Sequence, residues 1–173
     1  MKTVLHAVAL ASIVQALVGC TQQRYEPIVS TAEAPAEQWS FKPVETKYLS
    51  TQSSVWNFQH VLEQSAEQCG QEAAMGYILS SQLRDYGSSK RPNDRAQSLA
   101  DCQQYANQQG NEAIARLNSS VVSPKSLELS KALYSQWKVY LTGMTIYSPK
   151  DRSAEARYQT SRQALLAEDK FAK

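Results

Sequence analysis

A single histidine, His60, lies outside the apolar N-terminal run, and it limits the chemistry that the sequence can support. Glu63 and Glu67 follow it at helical spacing, so all three can share one face of a helix. A metal ion bound there would have too few ligands of ordinary strength. Cys69 lies about 13 Å further along a helix, which is too far for a cysteine–histidine dyad. We therefore interpret this face as solvated and predict no metal, no cofactor and no catalytic residue.

The start of the chain has the layout of a secretory signal. Lys2 precedes an apolar run over residues 4–18, and the small residue Gly19 separates that run from Cys20. A charged segment, an apolar segment and a small-residue exit are the three parts of such a signal. The run of about 15 residues is shorter than the roughly 20 that a helix needs to cross a bilayer. We predict that residues 1–19 are a signal peptide.

The end of this segment, Leu17-Val18-Gly19-Cys20, resembles the lipobox of bacterial lipoproteins, which is Leu, a small residue, Gly or Ala, and Cys. The resemblance implies cleavage before Cys20 and lipidation of that residue. Thr21 follows where an aspartate would favour the inner membrane, so the resemblance implies a lipid anchor in the outer membrane, facing the periplasm. Several acyl chains, at about 0.8 kcal/mol for each buried CH₂, would make the anchoring durable.

Two cysteines remain after Cys20 is assigned to the lipid. In an oxidising periplasm, an even pair favours a disulfide between Cys69 and Cys102 over the alternative of two buried free thiols. Closing a loop of that length stabilises a fold by about 3 to 4 kcal/mol in the chain-entropy description.

The charge of the mature chain is nearly balanced. Of 18 basic side chains only Lys2 lies in the signal, and 16 acidic side chains oppose the rest. No run of Lys and Arg is long enough to follow a phosphate backbone, so we predict no nucleic-acid binding. The length after the signal suits one domain with a modest core.

Residues 20–50 are predicted to be an extended tether. They contain Pro27, Pro35 and Pro43 and show no sustained helical or strand period, and proline removes backbone donors and favours extended neighbours. Trp39 and Phe41 are unusual in a linker. We expect them to dock on the domain, with docking on a partner as the alternative.

Residues 51–173 are predicted to form an all-α domain, a small bundle of about four amphipathic helices. Apolar residues recur every three or four positions in three stretches, and these positions are the predicted core: Val55, Phe58, Leu62, Ala66, Cys69 and Ala73; Leu99, Cys102, Ala106, Ala113 and Leu117; Leu129, Leu133, Trp137, Tyr140, Met144 and Tyr147.

Capping residues predict where these helices begin and end. The first helix should end or kink near Ser80, and Asn93 or Asp94 should cap the second. Ser123-Pro124 starts the third, which should continue through "YLTGMTIY", although that stretch also has the composition of a strand. The fourth should run from Pro149 to about Lys170, with Asp151 at its third position.

The aromatic row of Tyr134, Trp137 and Tyr140 supplies the candidate partner-binding residues. Core packing is the alternative for Trp137 and Tyr140. In a groove that binds a partner helix or strand, Trp and Tyr are favoured because their rings give apolar contact and their polar tips give hydrogen bonds. The glutamine-rich helix faces also suit homo-oligomerisation.

As a small, disulfide-bridged helical lipoprotein, the chain resembles the pilotins of secretion systems in size, cellular location and architecture. Pilotins carry or stabilise outer-membrane secretin subunits. The resemblance implies a non-enzymatic binding or assembly factor for an envelope complex of the secretion, pilus or conjugation type, with the membrane and an envelope protein as partners. One alternative is an immunity or exclusion lipoprotein. The other is a cell-wall enzyme or accessory using paired carboxylates, although the acidic residues lie singly on helices.

Overall fold

The computed structural model describes residues 39–83 and 90–171, with side chains described for residues 39–81 and 94–170. The predicted signal peptide, Cys20 with its lipid and the first part of the tether lie outside the described residues. Within them the chain is all-helical, which confirms the predicted fold class. The helices are α1 (Ser54–Leu83), α2 (Lys90–Asn118), α3 (Pro124–Thr142) and α4 (Arg152–Phe171).

The four helices pack as two hairpins. α1 packs chiefly against α2, and α3 packs chiefly against α4, while α3 also contacts both α1 and α2. Every predicted core position of the first two helices is buried. The apolar stripes therefore meet in one core, which is the largest favourable contribution to a helical domain of this size.

The bridge between Cys69 and Cys102 joins α1 to α2, as predicted from the cysteine count. The two sulfur atoms are 2.01 Å apart and the two Cα atoms 5.6 Å apart. Both cysteines are fully buried in the helix–helix contact. The first hairpin is therefore held covalently near the middle of each helix.

Two helix ends in the first hairpin differ from the prediction. α1 continues past Ser80 to Leu83, and α2 begins at Lys90 rather than after a cap at Asn93 or Asp94. Pro92 therefore falls within the first turn of α2, where its missing N–H needs no helical partner. α1 therefore ends three residues later than expected, and Gly76 lies within it where a Cβ would come 2.5 Å from the Ile146 side chain.

α3 begins as predicted, with Ser123 as its N-cap, since the Ser126 N–H donates to the Ser123 hydroxyl at 2.9 Å. The predicted end of α3 was wrong, because the helix stops at Thr142 and does not reach Tyr147. The side-chain amide of Gln103 on α2 donates to the carbonyls of Leu141 and Met144 at 2.9 and 3.0 Å. Met144 lies just beyond the helix, and the Leu141 carbonyl also accepts from the Met144 N–H at 3.3 Å, so the Gln103 bonds attach the end of α3 to α2.

The segment between α3 and α4 is neither helix nor strand, and Tyr147 within it is 66% exposed. Its predicted place in the core was therefore wrong. α4 starts at Arg152 instead of Pro149, and Asp151 is the residue before the helix, accepting from the N–H groups of Ser153 and Ala154 at 2.9 and 3.0 Å. An aspartate in that position caps a helix and complements its dipole.

One close approach between helices depends on a glycine. A Cβ at Gly110 of α2 would lie 2.7 Å from two carbons of the Trp137 ring, so a hydrogen at this position allows the indole to lie against the α2 backbone. The Trp137 ring is completely buried, and its N–H donates to the Leu62 carbonyl of α1 at 2.8 Å. Trp137 thus connects α3 to both helices of the first hairpin.

Residues 39–52 lie along α1 and α2 without helix or strand and end in a turn, where the Gln52 N–H donates to the Leu49 carbonyl at 3.1 Å. The Phe41 ring lies 5.9 Å from the Tyr105 ring of α2, and the Trp39 N–H donates to Glu72 of α1 at 3.1 Å. Trp39 and Phe41 therefore dock on the domain, as expected. This part of the predicted tether is packed against the helices.

Candidate functional site

An open cleft of about 410 Å³ lies between α1 and the second hairpin and is called the α1 cleft below. α1 supplies one wall, which includes Glu63, Glu67 and Gly70. The opposite wall comes from α3, from α4 and from the segment between them, and it includes Tyr140, Tyr158 and Lys150. The cleft exists because α4 packs on α3 and makes few contacts with α1.

Two stacked tyrosines form the inner surface of the cleft. The rings of Tyr140 and Tyr158 are 5.5 Å apart and nearly parallel, at 11°. Both residues are buried among the helices. Burial raises the pKa of both phenols, and nearby Glu155 raises that of Tyr140 further. The wall is therefore a neutral aromatic surface that can still offer hydroxyl groups for hydrogen bonds.

Ion pairs occupy the two ends of this region. Arg162 of α4 donates to Glu63 of α1 at 2.7 Å, and Lys150 lies 3.6 Å from Glu155. The Arg162–Glu63 pair is half-exposed and contributes at most about 1 kcal/mol to stability. The pair also connects α4 to α1 across one end of the cleft, which we call the Glu63 end.

Small residues line the α1 wall at four-residue spacing. Ala66, Gly70 and Ala74 all face the cleft. A Cβ at Gly70 would have no atom within 4 Å, so nothing within the described chain requires a glycine there. Glycine in a helix interior costs about 1 kcal/mol relative to alanine. The residue leaves the helix backbone accessible from the cleft.

A smaller pocket of about 50 Å³ adjoins the cleft at Glu63. Gln59, His60 and Arg162 contribute to its lining. His60 stacks on Trp56 with ring centroids 4.7 Å apart. Gln59 is 4% exposed, and neither atom of its side-chain amide has a hydrogen-bond partner. A pocket of this size fits one or two water molecules, which would satisfy the amide.

The predicted partner-binding residues are not brought together. Trp137 is fully buried between α3 and the first hairpin, so its ring is not exposed on the surface. Tyr140 is also largely buried but does line the cleft. Tyr134 lies on a different side, where its hydroxyl donates to Asn111 of α2, and burial raises its pKa. Only Tyr140 belongs to the cavity that the structure offers.

Two residues of the cleft were missed by the sequence analysis. Tyr158 lies in α4, whose apolar face was not worked out residue by residue, and Gly70 was not noticed as a glycine inside a strongly amphipathic helix. That second signal was available, because a glycine inside a helix costs about 1 kcal/mol relative to alanine and so differs from the residues around it.

Within the described ranges, no group of three or more His, Cys, Asp or Glu side chains is arranged to hold a metal ion. None of the described helices combines the length and the apolar character that crossing a membrane requires. No protein-family model, curated protein or solved structure matches this chain.

Proposed function

We propose that this protein is a lipid-anchored, periplasm-facing factor of the outer membrane that binds a component of an envelope protein complex. The observation that carries the proposal is the α1 cleft, together with the lipobox-like sequence that ends at Cys20. The proposal assigns binding and assembly to the protein, and no catalytic residue.

The shape and lining of the α1 cleft support recognition of a protein segment. Its volume of about 410 Å³ lies in the range of ordinary binding cavities, and its open side can admit a chain. Tyrosines such as Tyr140 and Tyr158 are favoured at protein interfaces because they combine apolar area with a polar tip. Gly70 lets the backbone of a partner approach α1 closely.

The carboxylates of the cleft support a binding role over hydrolysis. A glycosidase needs one carboxyl group to remain free as an acid and a second as a base or nucleophile. Glu63 is held by Arg162 at 2.7 Å, and the neighbouring Glu67 is exposed beside Gln64, whose amide donates to it at 3.5 Å. We therefore favour a binding factor over a cell-wall enzyme.

A photo-crosslinking amino acid in place of Gln71, at the rim of the cleft, tests the proposal in living cells. The matched control places it at Lys131, which is exposed on α3 outside the cleft. We expect position 71, and not position 131, to capture an envelope protein whose assembly fails when this lipoprotein is deleted. Equal capture at both positions, or normal assembly in the deletion strain, would contradict the proposal.

A space-filling substitution identifies the cleft as the binding surface. Gly70→Gln places a side chain in the α1 cleft where the structure has free space, so the fold should be retained. Ala115→Gln, at an exposed position of α2, is the matched control. We expect only Gly70→Gln to lose capture and to fail to restore complex assembly. If Gly70→Gln protects cells from an incoming toxin or phage as the wild type does, while assembly is normal throughout, the immunity alternative replaces the proposal.

The membrane address is tested at Cys20. Cys20→Ser should abolish acylation, leave the signal peptide uncleaved and remove the mature protein from outer-membrane fractions. Unchanged processing and fractionation would refute the lipobox interpretation.

A further inference from the structure

The small pocket beside the α1 cleft, called the Gln59 pocket below, contains hydrogen-bonding groups that the described part of the chain leaves unused. Gln59 of α1 contributes to its lining and is 4% exposed. Among the described residues, neither the oxygen nor the nitrogen of the Gln59 amide has a hydrogen-bond partner, and neither does Nε of Arg162, which lines the same pocket. Buried polar groups are unfavourable when they are left unpaired. The pocket therefore favours an occupant that pairs with them.

The charges that line the Gln59 pocket oppose each other. Arg162 of α4 donates from a terminal guanidinium nitrogen to the Glu63 carboxylate of α1 at 2.7 Å. That bond fixes the guanidinium and leaves its Nε–H for the pocket. The groups that an occupant meets are therefore the acceptor oxygen of Gln59, the N–H donors of Gln59 and the Nε–H donor of Arg162.

These groups require an occupant that donates and accepts at once. A carboxylate only accepts, so it would leave the Gln59 oxygen unpaired and would lie near the carboxylate of Glu63. An ammonium group only donates, so it would leave the N–H groups of Gln59 and Arg162 unpaired. A hydroxyl presents both functions from one oxygen, which meets the two atoms of the Gln59 amide at poorer angles. A primary carboxamide can form a reciprocal pair with Gln59 and still accept from Arg162.

The size and the walls of the Gln59 pocket suit the same group. Its volume of about 50 Å³ compares with about 30 Å³ for one water molecule in the liquid, so it takes the end of a side chain and not a whole residue. The stacked rings of Trp56 and His60 contribute flat surfaces to the lining, and Leu166 contributes an aliphatic one. A planar amide at the end of a methylene chain fits such walls. The acetamido group of a cell-wall sugar needs more room, because its amide lies between a methyl group and a sugar ring.

We propose that the Gln59 pocket binds the carboxamide side chain of an Asn or Gln residue in the protein segment that occupies the α1 cleft. The inference rests on the proposed binding role of that cleft. Glu63 lines both the cleft and the pocket, so a segment bound in the cleft passes the pocket at the Glu63 end. A carboxamide reproduces the hydrogen bonds of the water that would otherwise fill the pocket, and displacing that water therefore loses no affinity.

An NMR titration of the full-length lipidated protein in detergent micelles tests the pocket with defined probes. Propionamide carries the amide of an Asn or Gln side chain, and propionate has the same shape with a carboxylate in its place. N-acetylglucosamine carries the acetamido group of the cell wall. We expect propionamide alone to shift the side-chain N–H resonances of Gln59 and the Nε–H resonance of Arg162 to saturation, with nuclear Overhauser contacts to the His60 ring.

A matched pair of variants assigns the response to Gln59. Gln59→Leu removes the amide donor and acceptor at similar volume, so the fold should be retained. Gln104→Leu makes the same change at an exposed position of α2, outside the pocket. We expect the affinity for propionamide, followed at Arg162 Nε–H, to fall roughly tenfold or more in Gln59→Leu, because two hydrogen bonds are lost. The affinity of Gln104→Leu should equal that of the wild type.

Three results would overturn the proposal. One is the absence of a saturable response to propionamide, which would leave the pocket to water alone. Another is an equal response to propionate, which would show that the pocket does not require a donor. The third is a response to N-acetylglucosamine that equals or exceeds the response to propionamide, which would assign the pocket to the cell wall. If Gln59→Leu does not fold, the titration of the wild type decides.

The photo-crosslinking assay at position 71 separates this inference from the proposed function. We expect Gln59→Leu to reduce capture of the envelope protein roughly tenfold, as the loss of two hydrogen bonds predicts, and Gln104→Leu to leave capture unchanged. Replacing one Asn or Gln of the captured segment by Leu should have the same effect as Gln59→Leu. If the wild type captures nothing at position 71, the proposed function fails. If capture occurs and Gln59→Leu does not reduce it, the binding role of the cleft stands and only the amide pocket fails.

Discussion

Two glycines in similar helical surroundings should respond in opposite ways to the same substitution. Gly70→Ala adds a methyl group where no atom lies within 4 Å, and Gly110→Ala adds it 2.7 Å from two ring carbons of Trp137. Both substitutions gain about 1 kcal/mol from the higher helix propensity of alanine. The difference between the two variants therefore isolates the steric cost at Gly110.

The indole at Gly110 has little freedom to retreat. Its ring is completely buried, and its N–H is bonded to the Leu62 carbonyl at 2.8 Å. The Tyr134 ring also lies 3.1 Å from the added methyl group. Overpacking of a filled core costs about 1 to 3 kcal/mol. Gly70→Ala should therefore be more stable than Gly110→Ala by about 2 kcal/mol, with the wild type between them.

Urea denaturation and thermal denaturation, both followed by circular dichroism, measure this difference in unfolding free energy. A gain of about 1 kcal/mol at Gly70 should raise the thermal midpoint by roughly 3 to 5 °C. Near-ultraviolet circular dichroism should change for Gly110→Ala only, because that variant displaces Trp137. Equal shifts in the two variants would show that Trp137 does not pack against Gly110 as described.

Three further outcomes follow from local contacts. The double variant Cys69→Ser/Cys102→Ser should lose about 3.7 kcal/mol of unfolding free energy, from the entropy of a loop with sequence separation 33; an unchanged urea midpoint would contradict this. Because burial raises the pKa of Tyr158, the unfolded chain releases that proton from about pH 10 while the folded protein keeps it. The unfolding free energy should therefore fall as the pH rises above 10, and Tyr158→Phe should flatten the fall; a slope unaffected by the variant would exclude this cause. Ser123→Ala should cost about 1 kcal/mol by removing the cap of α3, whereas Ser119→Ala, at an exposed helix end, serves as the control; equal costs would argue against the cap.

The sequence predicted what depends on local periodicity. The buried face of α1, from Val55 to Ala73, follows from apolar spacing alone, and the bridge follows from an even number of cysteines after Cys20. Ser123-Pro124 marked the start of α3 because both residues favour a helix N-terminus whatever surrounds them.

The remaining features depend on contacts between distant segments. α3 ends at Thr142, where Gln103 of another helix bonds to the carbonyls of Leu141 and Met144, and no local pattern near Tyr147 contains that information. The α1 cleft likewise depends on how α4 packs on α3 rather than on α1. Its lining residue Tyr158 could be assigned only after the four helices had been placed.

The bridge has a consequence for how the protein fluctuates. α1 and α2 are joined covalently, whereas α4 is attached to the rest of the bundle mainly through α3. Native proteins open in cooperative units whose free energies differ, and the least connected unit opens first. The second hairpin is therefore the unit of lower local stability, and its amide hydrogens should exchange ahead of those near Cys69 and Cys102. Since α4 forms one wall of the α1 cleft, the same opening governs how easily a large partner segment gains access to Gly70.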